Sequence, residues 1–335
     1  MPIVSIGDMS QHFMSLRNGG QIKSDLARLG QELSTGKSAD VVEKLGGQTR
    51  QLSAITHTLD VLSAYRQSAD ETALTLDHMQ IVLERVEQQR GTAAETLLLI
   101  SPQSQAHQIS TASAIAGQAF EGMVSALNGR LAGRSLFAGT AVDRAPLADA
   151  RTMLDDLRAN LVAATSQTDV EIIVQQWFDD PAGGFATIGY LGDSNNDISR
   201  QIGPDQTIDL SFRADNADLK DLLRATALGA LAGELTGVLT QVEQANLLQD
   251  SGRSLLSASA GLTTTQAGVG SLQAAVDIGQ ARISSEQTSL SLVYNELTAS
   301  DPFETAVRLQ AVQTQLETHF AVTARLSRLT LAEYI

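Results

Sequence analysis

The sequence predicts a mainly α fold: a long, coiled-coil-like helical bundle formed by both termini, with a small α+β domain inserted in the middle. Three observations predict it. Apolar residues recur three and four positions apart near both ends of the 335-residue chain. Hydrophobic content is 43% but aromatic content only 4%, which suits long helices meeting along narrow seams where small side chains suffice. Turn-forming segments such as Pro181-Ala182-Gly183-Gly184 and Gly203-Pro204-Asp205 gather between about residues 141 and 215.

The N-terminal stripe reads Ile3, Ile6, Met9, Phe13 and Leu16, then resumes after a break at Asn18-Gly19-Gly20 with Ile22, Leu26, Leu29 and Leu33. Ser34-Thr35-Gly36-Lys37 and Leu45-Gly46-Gly47 punctuate it. A very long helix is expected from Gln48, carried by Leu52, Ile55, Leu59, Leu62, Ala69, Ala73 and Leu76. Met79, Leu83 and Val86 restart the spacing one residue early, predicting a slip in the seam. Pro102 closes that run, and a helix over about Gln105–Leu131 packs back antiparallel.

Past Gly133 the pattern changes. A helix is expected around Ala148–Ala164, with β-like runs at Glu171–Phe178, Phe185–Leu191 and Thr207–Phe212. Helix returns from about Ala217, and a last long helical region spans Arg253–Leu297, weakened by Gly261, Gly268, Gly270 and Gly279. A fresh start follows, with Asp301 as N-cap, Pro302 in the first turn and Glu304 completing a capping box. The closing helix carries Leu309, Val312, Leu316, Phe320, Leu326 and Leu329.

Charge and composition exclude several functions. There are 23 Lys and Arg against 38 Asp and Glu, a formal charge of -15, which argues against nucleic-acid binding. With no Cys there is no disulfide framework and no thiol nucleophile. No apolar run approaches the ~20 residues needed to cross a bilayer. The N-terminus lacks the positive segment of a signal peptide, so any export is expected to use a route without a cleavable signal. The ends are neutral: residues 1–37 hold four bases and three acids, and residues 301–335 three and four. The whole acidic excess therefore lies in residues 38–300, 16 bases against 31 acids. Neutral, apolar-striped ends can crowd together while an acidic middle stays hydrated.

Local motifs nominate little chemistry. Gly30–Ser38 superficially resembles a phosphate-binding loop, but five residues separate its glycines and a helical stripe precedes it, so a turn is the better reading. Asp193, Asn195 and Asp197 have calcium-loop spacing, yet Ile198 replaces the required glycine and Pro204 the bidentate Glu, which favours a polar turn. The histidines, His12, His57, His78, His107 and His319, are never paired at metal spacing. No catalytic, metal or cofactor residues are expected, and the chain is not expected to be an enzyme. The terminal stripes remain. Two helices of about 30 residues span roughly 45 Å, and a lone pair that long leaves apolar surface uncovered. Its striped residues are therefore expected to form subunit interface.

Two segments, Leu29-Gly30-Gln31-Glu32-Leu33-Ser34-Thr35-Gly36-Lys37 and Gly133-Arg134-Ser135-Leu136-Phe137-Ala138-Gly139-Thr140, together with the paired terminal heptads, resemble the bacterial flagellin superfamily. Within it the hook–filament junction proteins are the most similar. The resemblance implies an inner domain from 1–44 plus 298–335, a helical rod from 45–140 plus 217–297, and a variable outward domain from 141–216. It also implies a structural axial subunit joining hook to filament, found outside the cell in the flagellum. The partners it implies are other axial proteins (a hook-side junction protein, and flagellin or a filament-side junction protein), copies of itself in a helical assembly, and a cytoplasmic export chaperone before type III export. No nucleic acid, membrane or cofactor is implied. A filament-forming flagellin is the alternative, and an adhesive module using the middle domain a further one.

Overall fold

The computed structural model describes the backbone of residues 6–332 and the side chains of Ser10 and residues 13–325. Its elements are α1 (Ile6–Thr35), α2 (Val41–Lys44), α3 (Arg50–Leu98), α4 (Ala106–Leu127), β1 (Arg130–Leu131), β2 (Arg134–Ser135), α5 (Ala150–Leu161), α6 (Gln167–Asp179), β3 (Ile198–Gly203), β4 (Gln206–Leu210), α7 (Ala217–Ala232), α8 (Gln241–Thr298) and α9 (Pro302–Ala332). The fold is mainly α, as the composition predicts. It divides into two compact units, Met1–Leu62 with Ser284–Ile335, and Ser63–Ile283.

The second unit is built on an antiparallel seam between α3 and α8. Buried side chains along the seam include Ala69, Thr72, Leu76, Met79, Leu83, Val86, Ala93 and Leu97 on α3, and Leu248, Ser251, Leu255, Leu262, Thr265, Val269 and Val276 on α8. Both sets alternate three and four apart, the coiled-coil repeat. Polar clamps fix the register: Gln280 donates to Asp70 (2.8 Å), Gln273 to Asp77 (2.7 Å), and Gln249 to the carbonyl of Ile100 (2.6 Å). The slip expected after Ala73 is absent. Thr72, not Ala73, occupies the seam, and its hydroxyl is satisfied by the Ser68 carbonyl at 2.7 Å, so a polar residue keeps the repeat unbroken.

A second layer, α4 and α7, covers that seam. Ser113 on α4 donates to the carbonyls of Gly229 (3.0 Å) and Ala230 (2.7 Å) and accepts from the amide of Gly233 at 3.0 Å. Gly229 permits this close approach: a Cβ there would stand 2.7 Å from Ser251 Oγ and 3.0 Å from Leu97 Cδ1. The α8 glycines have a similar logic. A Cβ at Gly261 would meet Asp218, one at Gly268 would meet Phe212, and one at Gly279 would meet Ile202 and Gln206. Glycine costs a helix about 0.5–1 kcal/mol per residue; here it admits the start of α7 against α8 at Gly261 and the middle segment at Gly268 and Gly279. Gly270 faces open space, and nothing in the structure explains it.

Two sequence expectations for the middle fail. Glu171–Phe178 is helix, not strand: Val170, Val174, Trp177 and Phe178 are buried at helical spacing, and Ser166 caps the start by accepting from the Asp169 amide at 3.2 Å. Burial of one face overrides the β preference of Ile172, Ile173 and Val174. Phe185–Gly189 is a single π-helical turn, packed through Phe185 on Phe178 (5.4 Å between rings). Thr207–Phe212 does contain a strand: β4 pairs antiparallel with β3, Ile198 opposite Leu210, with an irregularity between Gln201 and Gly203. The last helical region also begins earlier than expected, at Gln241.

Candidate assembly surface

In the first unit α1 and α9 pack antiparallel. Their C- and N-terminal ends meet at the Lys37–Ala299 bridge, while further along Gly19 abuts His319 and the Lys23 ammonium lies 5.6 Å from the centre of the Phe320 ring. The expected break at Asn18-Gly19-Gly20 does not occur, and α1 is continuous. Gly19 instead lies on the seam, where a Cβ would stand 2.9 Å from the His319 ring. It was legible as a seam position, since Ser15, Gly19, Ile22, Leu26 and Leu29 keep the three-four spacing.

Continuity changes what the N-terminal stripe means. Phe13 precedes Ile22 by nine residues, about two and a half turns, so the two lie on opposite sides of one helix. Ile22 and Leu29 are buried at 8% and 4% exposure, whereas Phe13 and Leu16 stand 64% and 60% exposed. On α9, Leu309, Val312, Leu316 and His319 form the half-buried seam, while Phe303 is 79% exposed and Val307 also points outward. The fifteen expected interface residues therefore separate. Ile22, Leu26, Leu29, Leu309, Val312 and Leu316 sit within the pair. Phe13, Leu16, Leu33 and Phe320 are exposed, joined by Met14, Phe303, Val307 and Val322, which sequence periodicity passed over. Ile3 lies outside the described residues, as do the side chains of Ile6, Met9, Leu326 and Leu329.

The start of α9 follows its predicted cap in part. Asp301 Oδ1 accepts from the amides of Phe303 (2.8 Å) and Glu304 (3.2 Å). The reciprocal half of the capping box is replaced: the Glu304 carboxylate accepts from Arg308 at 2.6 Å, one turn on.

Of Gly30–Ser38, expected as a turn, residues 30–35 are instead the last turns of α1, and the chain leaves the helix at Gly36, φ +68°. The Gly133–Thr140 segment leaves a tight hairpin whose turn, Ala132-Gly133, has both residues at positive φ, and then passes Phe137 and Ala138 into the core. Gly139 is enforced by crowding, because a Cβ would clash with the Asp193 and Asn196 carbonyls. Asp193 anchors this loop. Its carboxylate accepts from the Thr140 hydroxyl, Asn196 Nδ2 (2.9 Å) and the Asn195 amide (2.9 Å), which together hold it well below the usual carboxylate range. Asp197 is engaged by Arg213 at 2.5 Å. The calcium-like spacing is thus spent on a hydrogen-bonded turn, and among the described residues no three His, Asp or Glu side chains are placed to hold a metal. No described helix is long and apolar enough to cross a membrane.

Residues 255–335, most of α8 and all of α9, match the family model described as the bacterial flagellin C-terminal helical region. The chain is flagellin-like over that segment. Among solved structures it is similar to a flagellar hook-associated protein from Vibrio parahaemolyticus (13% identity, TM-score 0.48, 73% of this chain and 95% of that one). It is likewise similar to Bacillus cereus FlgL (16% identity, TM-score 0.48, 71% and 96%). No curated protein matches the chain.

Proposed function

We propose that this chain is a structural axial subunit of the bacterial flagellum, acting at the hook–filament junction, and that it docks on neighbouring subunits through the outward faces of α1 and α9. One observation carries the reading: the segment similar to flagellin ends in α9, whose pairing with α1 leaves large apolar side chains on both helices, Phe13 and Leu16 on α1 and Phe303 and Val307 on α9, open to solvent. Burying such side chains against a neighbouring chain would contribute about 1.5–3 kcal/mol each. The neutral ends and acidic middle fit the same reading. The partners would be hook-side and filament-side axial proteins and further copies of this chain, reached by export without a cleavable signal, with a cytoplasmic chaperone beforehand.

The test is the double variant Phe13→Asp with Phe303→Asp. It should fold with unchanged thermal stability, be made normally, and be missing from isolated flagella. Normal incorporation of that variant would sink the reading. Labelling the protein in isolated flagella separates the junction role, with label at one point, from filament-forming flagellin, with label along the whole length.

A further inference from the structure

α2 is a helix with no buried residue, so packing does not account for it. It is nonetheless carefully bounded. Asp40 caps its start by accepting from the Glu43 amide at 2.9 Å, and Gly46 and Gly47, both at positive φ, terminate it through amides returning to Glu43 and Val42. What this short turn delivers is Lys44. The Lys44 ammonium donates to the carbonyls of Leu297 (3.0 Å) and Ala299 (2.5 Å), at the C-terminus of α8 where backbone acceptors have no helical partner.

The contacts around it form a polar joint. The Ser38 amide donates to the Thr298 carbonyl (2.8 Å) and the Ser300 amide to the Gly36 carbonyl (2.9 Å), a reciprocal antiparallel pair. Glu32 accepts from the Ala39 amide at 2.9 Å, and the Lys37 ammonium lies 5.6 Å from the centre of the Tyr294 ring. Over residues 30–47 and 294–305 the buried side chains are Glu32, Thr298 and Thr305, all polar. Hydrogen bonds rather than apolar burial therefore hold the place where α8 breaks and α9 begins.

We propose that Lys44 is a positioning residue for assembly: a pin that holds the α8–α9 break in one geometry, so that α1 and α9 are offered to neighbouring subunits as a single body. The role rests on the assembly reading above, but the pin itself is tested on the free chain. Lys44→Met and Lys44→Arg are made in the full-length protein, and amide exchange is followed at Ser38 and Ser300, with Leu29 and Leu262 as references. Removing a charge-assisted contact to exposed carbonyls should speed exchange at Ser38 and Ser300 about three- to tenfold in Lys44→Met. Leu29, Leu262 and the melting temperature should stay unchanged, and Lys44→Arg should restore protection. Unchanged exchange at Ser38 and Ser300, or equal acceleration at Leu262, would overturn the pin. Faster exchange with undiminished incorporation into flagella would overturn its role in assembly and leave the assembly reading standing.

Discussion

The seam of α3 with α8 and the seam of α1 with α9 are written in the same three-four repeat, yet they end in different physical states. In the first, Leu76, Leu83, Leu255, Leu262 and Val269 are fully buried, because α4, α7 and the middle segment add further layers around the pair. In the second, Leu26, Leu309, Val312 and Leu316 are only half-buried, and among the described residues of that unit no further helix covers the outer faces. A heptad pattern specifies a pairing direction and register. Whether the paired helices become core or remain surface depends on how many layers the rest of the chain brings.

The sharpest way to break the comparison is to remove equivalent leucines from the two seams. Leu262→Ala, in the fully buried seam, should destabilise the protein by about 2–5 kcal/mol in denaturant titration, since a cavity remains when the methyl groups go. Leu316→Ala, in the half-covered seam, should cost below about 1.5 kcal/mol in the isolated chain, since much of that surface already meets water. Equal losses at the two sites would show that the terminal pair is a finished core, and the proposed interface would lose its basis.

A smaller effect sharpens the contrast from within the second unit. Asp193 has a folded-state pKa below its unfolded one, because donors from Thr140, Asn196 and Asn195 favour the carboxylate. Its contribution is therefore fully present above the unfolded value of about 4 and is lost as pH falls below it toward the depressed folded value. In Asp193→Asn, stability above about pH 4 should be lower than in the parent, and it should fall less steeply as the pH is taken below about 4. Because the carboxylate lies at the surface, the effect should shrink with added salt. An unaltered pH profile in the variant would show that these hydrogen bonds do not discriminate between the charged and neutral forms.

Much of the architecture was legible in the sequence. The long helices, their antiparallel return and the Asp301 cap follow from periodicity and turn chemistry alone. The failures share a cause. Glu171–Phe178 carries adjacent branched residues that suit a strand or a buried helix, and only the neighbours that bury Val174 and Trp177 decide between them. Gly19 and the glycines of α8 read as weaknesses because the sequence does not show what lies beside them. The candidate surface was half-legible. The striped residues are visible, but Gly19-Gly20 suggests a break, whereas the unbroken helix sends Phe13 and Ile22 to opposite sides.

By itself, then, the sequence determined local matters: where helices start and stop, which residues repeat with the turn of a helix, and that the ends are neutral while the middle is acidic. These depend on near neighbours along the chain, through capping, steric limits and the 3.6-residue turn. The tertiary structure alone decided which apolar side chains are buried and which stay exposed, where a glycine is a close contact, and that Lys44 meets the end of α8. Burial is a property of what surrounds a side chain, and the residues that do the surrounding lie up to some 300 positions away, as Gly19 and His319 do.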